Sequence, residues 1–490
     1  MQSFSLLTDF YQMTMAYAYW KMGLKDKEAV FHLYFRKIPF QGGFTVAAGL
    51  ESVIHYLQNF HFDPSDLKYL ESLQGEDGKP YFCSDFLDYL ANLKFTCDLE
   101  AVPEGTIIFP QEPLLRIQGP LIQCQLLESP LLNFINFPTL IATKAARICL
   151  AAQGEPVLEF GLRRAQGVDG ALTASRAAYI GGCDSTSNLM AGKLFGIPVK
   201  GTHSHSWVMA FDDELQAFKT YAQVLPNNCT FLVDTYNTIE GVKNAIEVGK
   251  WLKEQGKTIS GIRLDSGDLA DLSFKSRQLL DEAGFFDAKI VASNDLDEMV
   301  ISELKRQGAK INVWGVGTSL VTAKGQSALD GVYKLSAIRD PGKAWKYKIK
   351  LSEQILKISN PGLLQVKRFY SERKNDKRYV ADLIYDSADK SPPQNYLINP
   401  LDPTQEHIID KNLSFKELLV PIFFKGQLVY KIPSLKQVRE TTKQELKRFP
   451  IGIKRFLNPH LYVVGMEKSL YQLKRDLIKT LRDKYHSTIQ

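Results

Sequence analysis

From residue 156 onward the chain alternates short apolar runs with longer stretches whose apolar residues recur every three or four positions. The runs PVLEFG, AAYIGGC, IPVKGTH, CTFLVDT, ISGIRLD, AKIVASN, INVWGVG and DGVYKLS have strand length. Between them lie segments such as TIEGVKNAIEVGKWLKEQG, where Ile239, Val242, Ile246, Trp251 and Leu252 recur at helical spacing. Strand followed by helix, repeated about eight times, predicts an α/β fold with parallel strands arranged as an irregular (β/α) barrel. Where the runs give way to their loops stand Arg163, Asp184, His205, Asp234, Arg263, Asp265, Asn294 and Thr318. Ordinary loops are polar too, but arginine, aspartate and histidine recurring at one end of successive strands point to a ligand site at the carboxyl face.

Residues 1–155 are less periodic, with aromatic-rich segments (VFHLYFRKIPF) and a strand-turn series (AVPEGTIIFPQEPLLRIQGPL), and read as an N-terminal α+β domain. Residues 156–340 carry the strand-helix rhythm. Residues 341–490 form a C-terminal extension, lysine-rich at first and ending in a helix with Leu470, Leu473, Leu477 and Leu481 on one face. This extension is expected to pack back on the N-terminal domain.

Composition narrows the function classes. A chain of 490 residues, 44% hydrophobic, can bury a large core. Its formal charge of +6 is too small and diffuse to argue for nucleic acid. The cysteines at 83, 97, 124, 149, 183 and 229 form no CxxC, so buried thiols in a reducing compartment are expected, without disulfides or a zinc site. The N-terminal stretch has no basic region ahead of its apolar residues, and no run is long enough to cross a membrane. A cytoplasmic location is therefore expected.

Three motifs carry candidate chemistry. In VKGTHSHSWV, residues i and i+2 of a strand share a side, so His203 and His205 could hold a metal. No histidine follows until His407, which disfavours a metal-dependent barrel hydrolase. In GIRLDSGDLADL an apolar strand delivers Arg263 and Asp265 on one face, and Ser266 or Asp268 caps the next helix. Capping does not explain alternating charges on a strand that should be buried on both sides, so these two residues predict a ligand pocket. In VWGVGTSLVTA, Gly317, Thr318 and Ser319 offer backbone N–H groups and hydroxyls to a phosphate. Walker A and GxGxxG motifs are absent.

The segments LLTDFYQMTMAYAYW, EFGLRRAQGVDGALTASRAAYIGGCDSTSNLMAGKLFGIPVKGTHSHSWVMAF, VDTYNT, GIRLDSGDLADLS, VASNDLDE and VGTSLVTA follow one another in an order and at spacings that closely resemble the nicotinate phosphoribosyltransferases. The resemblance implies condensation of nicotinic acid with 5-phosphoribosyl 1-pyrophosphate, with Mg²⁺ accompanying the polyphosphates and ATP as co-substrate. It implies that His205 is phosphorylated, that Asp265 contacts the ribose hydroxyls or the metal of the phosphoribosyl donor, and that Arg263 and Arg163 face the nicotinate carboxylate and phosphates. Phe160 and Tyr11 would sandwich the pyridine ring, Tyr11 reaching across a homodimer interface into a shared site. Thr202 would lie near the substrate, and Gly317, Thr318 and Ser319 would cradle the 5-phosphate. His203 is implied to be a neighbour or a space-filling residue. Asp184 stands near the position where related nicotinamide enzymes place an acidic residue for the carboxamide, which keeps a nicotinamide phosphoribosyltransferase as the alternative. An inactive, ligand-binding relative is disfavoured by the intact set of Tyr11, Arg163, His205, Arg263, Asp265 and Thr318.

Overall fold

The computed structural model describes residues 4–373, 376–391 and 395–485. The chain forms two compact units: Leu140–Ser327 with Leu435–Thr442, and Met1–Thr139 with Ala328–Ser434 and Lys443–Gln490.

The first of these holds a six-stranded parallel sheet in the order Ser185–Thr186, Val157–Glu159, Val313–Val316, Lys289–Ala292, Gly261–Leu264, Thr230–Leu232. Val157, Phe231, Leu232, Ile262, Leu264, Ile290, Ala292, Trp314 and Val316 are buried, as expected of strands covered on both faces. Apart from Ser185–Thr186 and Thr230–Leu232, which lie at the two edges, strands adjacent in sequence pair with one another, and the first of the set in sequence pairs with the last, so the pairing runs in an incomplete circuit. The circuit is interrupted between Thr186 and the Thr230–Leu232 strand. On one side of the gap Val199 makes a single parallel bridge to Thr186. On the other, the Leu232 N–H donates to His203 Nε2 at 3.2 Å, so a side chain stands where a strand would.

Three of the eight expected barrel strands are corrected. AAYIGGC is the end of the Gly167–Gly181 helix, where Ala171, Ala174, Ala177 and Ala178 favour helix and bury a face of small residues. A short apolar run cannot be told from a buried helix turn by periodicity alone. The strand in its place is Ser185–Thr186, too short and polar to register as an apolar run. IPVKGTH is extended but makes only the Val199 bridge, since Pro198 has no N–H to give a ladder. DGVYKLS lies in Gly331–Arg339, which pairs antiparallel with Glu28–Phe35 in the other unit and leaves the parallel sheet altogether.

Helices begin directly after the carboxyl ends of strands, and their orphan N–H groups are met by side chains. Asn237 accepts from Ile239 and Glu240, Asp268 from Ala270 and Asp271, and Asp297 from Met299 and Val300. Asp268, and not Ser266, is thus the cap in DSGD.

The other unit joins the two ends of the chain. Its seven-stranded antiparallel sheet runs Lys346–Tyr347, Gly331–Arg339, Glu28–Phe35, Leu115–Pro120, Asp98–Ala101, Val420–Phe424, Gln427–Leu428. A second sheet of six strands is assembled entirely from residues beyond 360, with Leu364–Arg373 and Asp376–Asp386 as its long central hairpin. Beneath it Arg368 is fully buried, bonded to Asp382 and to the Ile107 carbonyl, with Glu445 beside it. The terminal helix, Lys468–Tyr485, buries Leu470.

His203 and His32 are both buried and both accept a backbone N–H through Nε2, from Leu232 at 3.2 Å and Leu364 at 3.1 Å. Acceptance requires the neutral ring. Burial lowers the pKa of His203 to about 4, assisted by the nearby Arg263 and His205 and opposed by the Ser204 carbonyl. Burial, with Arg116 adding to it, likewise holds His32 well below its usual value. For His203 the unfolded chain binds the proton more tightly, so its contribution to stability is complete above pH 6.5 and is lost as pH falls towards 4. Urea unfolding across this window should show His203→Gln losing less stability on acidification than the parent, by roughly 3 kcal/mol over the full span. Parallel curves for the two proteins would refute the assignment.

Candidate active site

Gly261–Leu264 is the strand from which the site is built. Arg263 and Asp265, two apart, share a face, and Arg263 Nη2 donates to Asp265 Oδ1 at 2.7 Å. Arg263 Nε donates to Ser293 Oγ at 2.7 Å, Ser293 in turn donates to Asp265 Oδ1, and Arg263 Nη1 reaches Thr202 Oγ1 at 3.1 Å. On the other side the Asp265 N–H and the Ser266 hydroxyl both donate to Asp234 Oδ2, at 2.9 and 2.6 Å. Sheet register explains the grouping. Leu232 lies opposite Arg263 and Ala292 opposite Leu264, so Asp234, Asp265 and Ser293 continue as one row across three strand ends. Burial alone would raise the Asp265 pKa, but the Ser293 hydroxyl and the Arg263 guanidinium outweigh it and hold the carboxylate ionised. Oδ1 of Asp234 is buried and has no hydrogen-bond partner among the described residues.

His205 and His203 do not act as a pair. A new helix begins directly after Ser204, at His205–Met209, which ends the alternation that would have put both rings on one side. His203 turns inward against Phe218, Tyr221 and Phe231. His205 faces the site, with Nδ1 3.2 Å from the Thr235 hydroxyl and Nε2 3.7 Å from Asp265 Oδ2. A hydroxyl on one nitrogen and a carboxylate near the other orient the ring, as a nucleophilic imidazole requires. Among the described residues no group of three or more His, Cys, Asp or Glu side chains is placed to hold a metal ion.

Phe160 follows the Val157–Glu159 strand and lies beside Arg263, whose guanidinium carbon is 5.6 Å from the ring centroid. Two glycines make room for this wall. A Cβ on Gly315 would stand 2.8 Å from the Phe160 ring, and one on Gly161 would stand 2.2 Å from the Val321 side chain. Leu162 and Arg163 continue in a short, exposed 3-10 turn. At the end of Val313–Val316, Gly317 precedes the Thr318–Val321 turn of helix, whose first N–H groups have no intrahelical acceptor. The Ser319 hydroxyl there is buried and has no partner among the described residues.

Phe160, Leu162, Arg163, Ser187, Thr202, His203, His205, Arg263 and Asp265 line a cavity of about 270 Å³ at these strand ends. The structure therefore brings together most of the residues selected from sequence, with Gly317, Thr318 and Ser319 at the end of a neighbouring strand. Tyr11 belongs to the other unit, on the Phe10–Lys21 helix, and is half exposed. Asp184 is not brought into the group. It precedes Ser185–Thr186 and accepts the N–H of Val157, the first residue of the neighbouring strand, at 3.0 Å, which places it at the amino ends of the sheet. There Arg439 binds its carboxylate at 2.6 Å together with the carbonyls of Gly182 and Cys183. Three residues on, Ser187 lines the cavity instead. Sequence reading passed over Ser187, Ser293, Thr235 and Glu159. Each stands at a strand's carboxyl end or within three residues of it, but only register shows which neighbour it meets.

The chain is similar to known proteins along its whole length. The nicotinate phosphoribosyltransferase family model matches residues 156–359, its N-terminal domain residues 6–136 and its C-terminal domain residues 364–474. A nicotinate phosphoribosyltransferase of Bacillus subtilis is 43% identical over 100% of this chain and 98% of its own length. A human nicotinate phosphoribosyltransferase is 34% identical over 96% of each. The crystal structure of human nicotinic acid phosphoribosyltransferase superposes with a TM-score of 0.82, covering 96% of this chain and 99% of the human one.

If Asp184 serves the fold through Arg439 and Val157, Asp184→Ala should lower stability by about 1 kcal/mol and leave the affinity of the cavity for its ring substrate unchanged. Thermal unfolding with ligand titration tests this. A selective loss of ligand affinity at full stability would return Asp184 to the site.

Proposed function

The chain belongs to the nicotinate phosphoribosyltransferase family, and from that premise we propose that it joins nicotinic acid to 5-phosphoribosyl 1-pyrophosphate. The products are nicotinate mononucleotide and pyrophosphate, a step of NAD salvage carried out in the cytoplasm. The observation that carries this reading is the Arg263–Asp265 pair, held by Ser293 and Thr202 at the floor of the cavity with His205 facing Asp265. The pyridine nitrogen is itself the nucleophile and carries no proton at neutral pH, so no strong general base is required. Departure of pyrophosphate leaves positive charge at the anomeric carbon, which an ionised Asp265 stabilises. Arg263 and Arg163 supply positive charge for the nicotinate carboxylate and the phosphates, Thr202 lies near the substrate, and Phe160 covers one face of the ring. Gly317, Thr318 and Ser319 receive the 5-phosphate on unpaired N–H groups and hydroxyls. Mg²⁺ enters as part of the polyphosphate substrates, and the unpartnered Oδ1 of Asp234 is an oxygen suited to it.

His205 gives ATP its role. The imidazole accepts the γ-phosphoryl group, ADP leaves, and the phosphohistidine is hydrolysed during the cycle. A phosphoryl group adds roughly −1.5 to −2 charge beside Asp265, enough to rearrange the loops around the polyphosphate and couple hydrolysis to synthesis. Tyr11 completes the ring sandwich from a second copy of the chain, which makes the working form a homodimer with shared sites. The nicotinamide alternative rested on Asp184, which the fold holds at the other end of the sheet.

Offered phosphoribosyl pyrophosphate and Mg²⁺, the protein should form mononucleotide from nicotinic acid and not from nicotinamide, and ATP should enhance the yield. His205→Ala should retain slow synthesis that no longer responds to ATP. Full ATP stimulation in this variant excludes the phosphohistidine. Mixing Tyr11→Ala with His205→Ala should restore ATP-stimulated activity lacking in either alone, and failure to restore it would mean that each site is built from one chain.

A further inference from the structure

Glu159 is the last residue of its strand and is 1% exposed. Its carboxylate gathers three donors that are neutral and lie on different elements. Oε1 accepts the N–H of Gly161, and Oε2 accepts the hydroxyls of Ser175 at 2.8 Å and Thr186 at 2.5 Å. Its own carbonyl accepts the Ser187 N–H at 2.9 Å. The same network continues outward, since the Asn188 N–H donates to Thr186 Oγ1 at 3.0 Å and Asn188 Nδ2 reaches Ser175 Oγ at 3.3 Å.

Gly161 opens the turn that carries Leu162 and Arg163, and Phe160 lies between it and Glu159. Ser187 is the next residue after Thr186. Phe160, Leu162, Arg163 and Ser187 all line the cavity, whereas Glu159 does not. One buried carboxylate therefore ties together the two segments that form one end of the cavity, with the Gly167–Gly181 helix as backing through Ser175. A carboxylate suits this position because it has acceptor sites on both oxygens and nothing to donate, and ionised acceptors make shorter, stronger bonds. An apolar residue would leave three donors facing a dry interior.

We infer that Glu159 is a positioning residue for the end of the cavity that takes the pyridine ring: it sets the spacing between the Phe160–Arg163 turn and Ser187, and through that spacing the fit of the ring and its carboxylate. The inference rests on the nicotinate reading given above. Small displacements of such walls carry large penalties in binding and turnover.

The test compares the parent with Glu159→Leu, Glu159→Gln and Thr186→Val in steady-state kinetics and amide hydrogen exchange. Glu159→Leu should raise KM for nicotinate by about tenfold while KM for phosphoribosyl pyrophosphate stays within about twofold. Glu159→Gln should fall between it and the parent. Its amide oxygen still accepts from Gly161, and the Ser175 and Thr186 hydroxyls can turn to accept from its NH₂ group. Thr186→Val, which removes one donor and nothing from Gly161, should shift KM for nicotinate in the same direction by about two- to threefold; with Glu159→Gln it carries the test if Glu159→Leu does not fold. Exchange should quicken in segments 158–165 and 185–190 and remain unchanged in 261–267. Equal effects on both KM values, or no local change in exchange, would overturn the inference. Local exchange changes in a protein that proves not to use nicotinate would sink the substrate reading and leave the tie between the two walls standing.

Discussion

A guanidinium and a carboxylate two residues apart on a partly buried strand end constrain everything around them. Arg263 and Asp265 neutralise one another, but neither is satisfied by the other alone. Arg263 has five N–H groups to place, and Ser293 and Thr202 take two that Asp265 does not. Asp265 needs its backbone N–H met, and Asp234 meets it. Each requirement draws in the end of another strand or loop. The pair is therefore both the charged centre of the cavity and the reason why four separate segments converge there.

The parallel sheet makes this convergence possible because every strand presents its carboxyl end on the same side. What the sheet lacks is a complete ladder. Between Thr186 and Leu232 the backbone cannot be continued by a segment containing Pro198, and His203 bridges the gap with a ring nitrogen. His32 makes the equivalent bond to Leu364 in the other unit. In both places a strand N–H that would be buried without an acceptor is met by an imidazole kept neutral by its own burial. The contrast with His205 follows from position. Its ring, at the start of a helix and partly open to the cavity, has a hydroxyl on one nitrogen and a carboxylate near the other. Two histidines two residues apart thus have unrelated tasks.

Asp184 and Ser187 show how narrow the margin is along the chain. One residue on either side of a two-residue strand decides between the amino and carboxyl ends of the sheet, and with it between a structural tie to Arg439 and a place in the cavity wall. Glu159 belongs to the same region and is invisible to motif reading for a related reason. Its side chain leaves the strand on the side away from the cavity, and its importance comes from what it holds.

The sequence by itself determined the alternation of apolar runs and amphipathic segments, hence the α/β class. It also singled out Arg263 and Asp265 in GIRLDSGD and His205 in GTHSH, which the fold brings to one cavity from a strand end and a helix start. Only the tertiary structure decided that DGVYKLS pairs with Glu28–Phe35, that AAYIGGC is helix, that Asp184 faces away, and that Ser293, Asp234 and Asp265 form one row. The physical reason is the same in each case. Periodicity records which faces are buried, but the partner of a strand and the register of that pairing are set by contacts between residues far apart in the chain, and a shift of a single residue exchanges one side of a strand for the other.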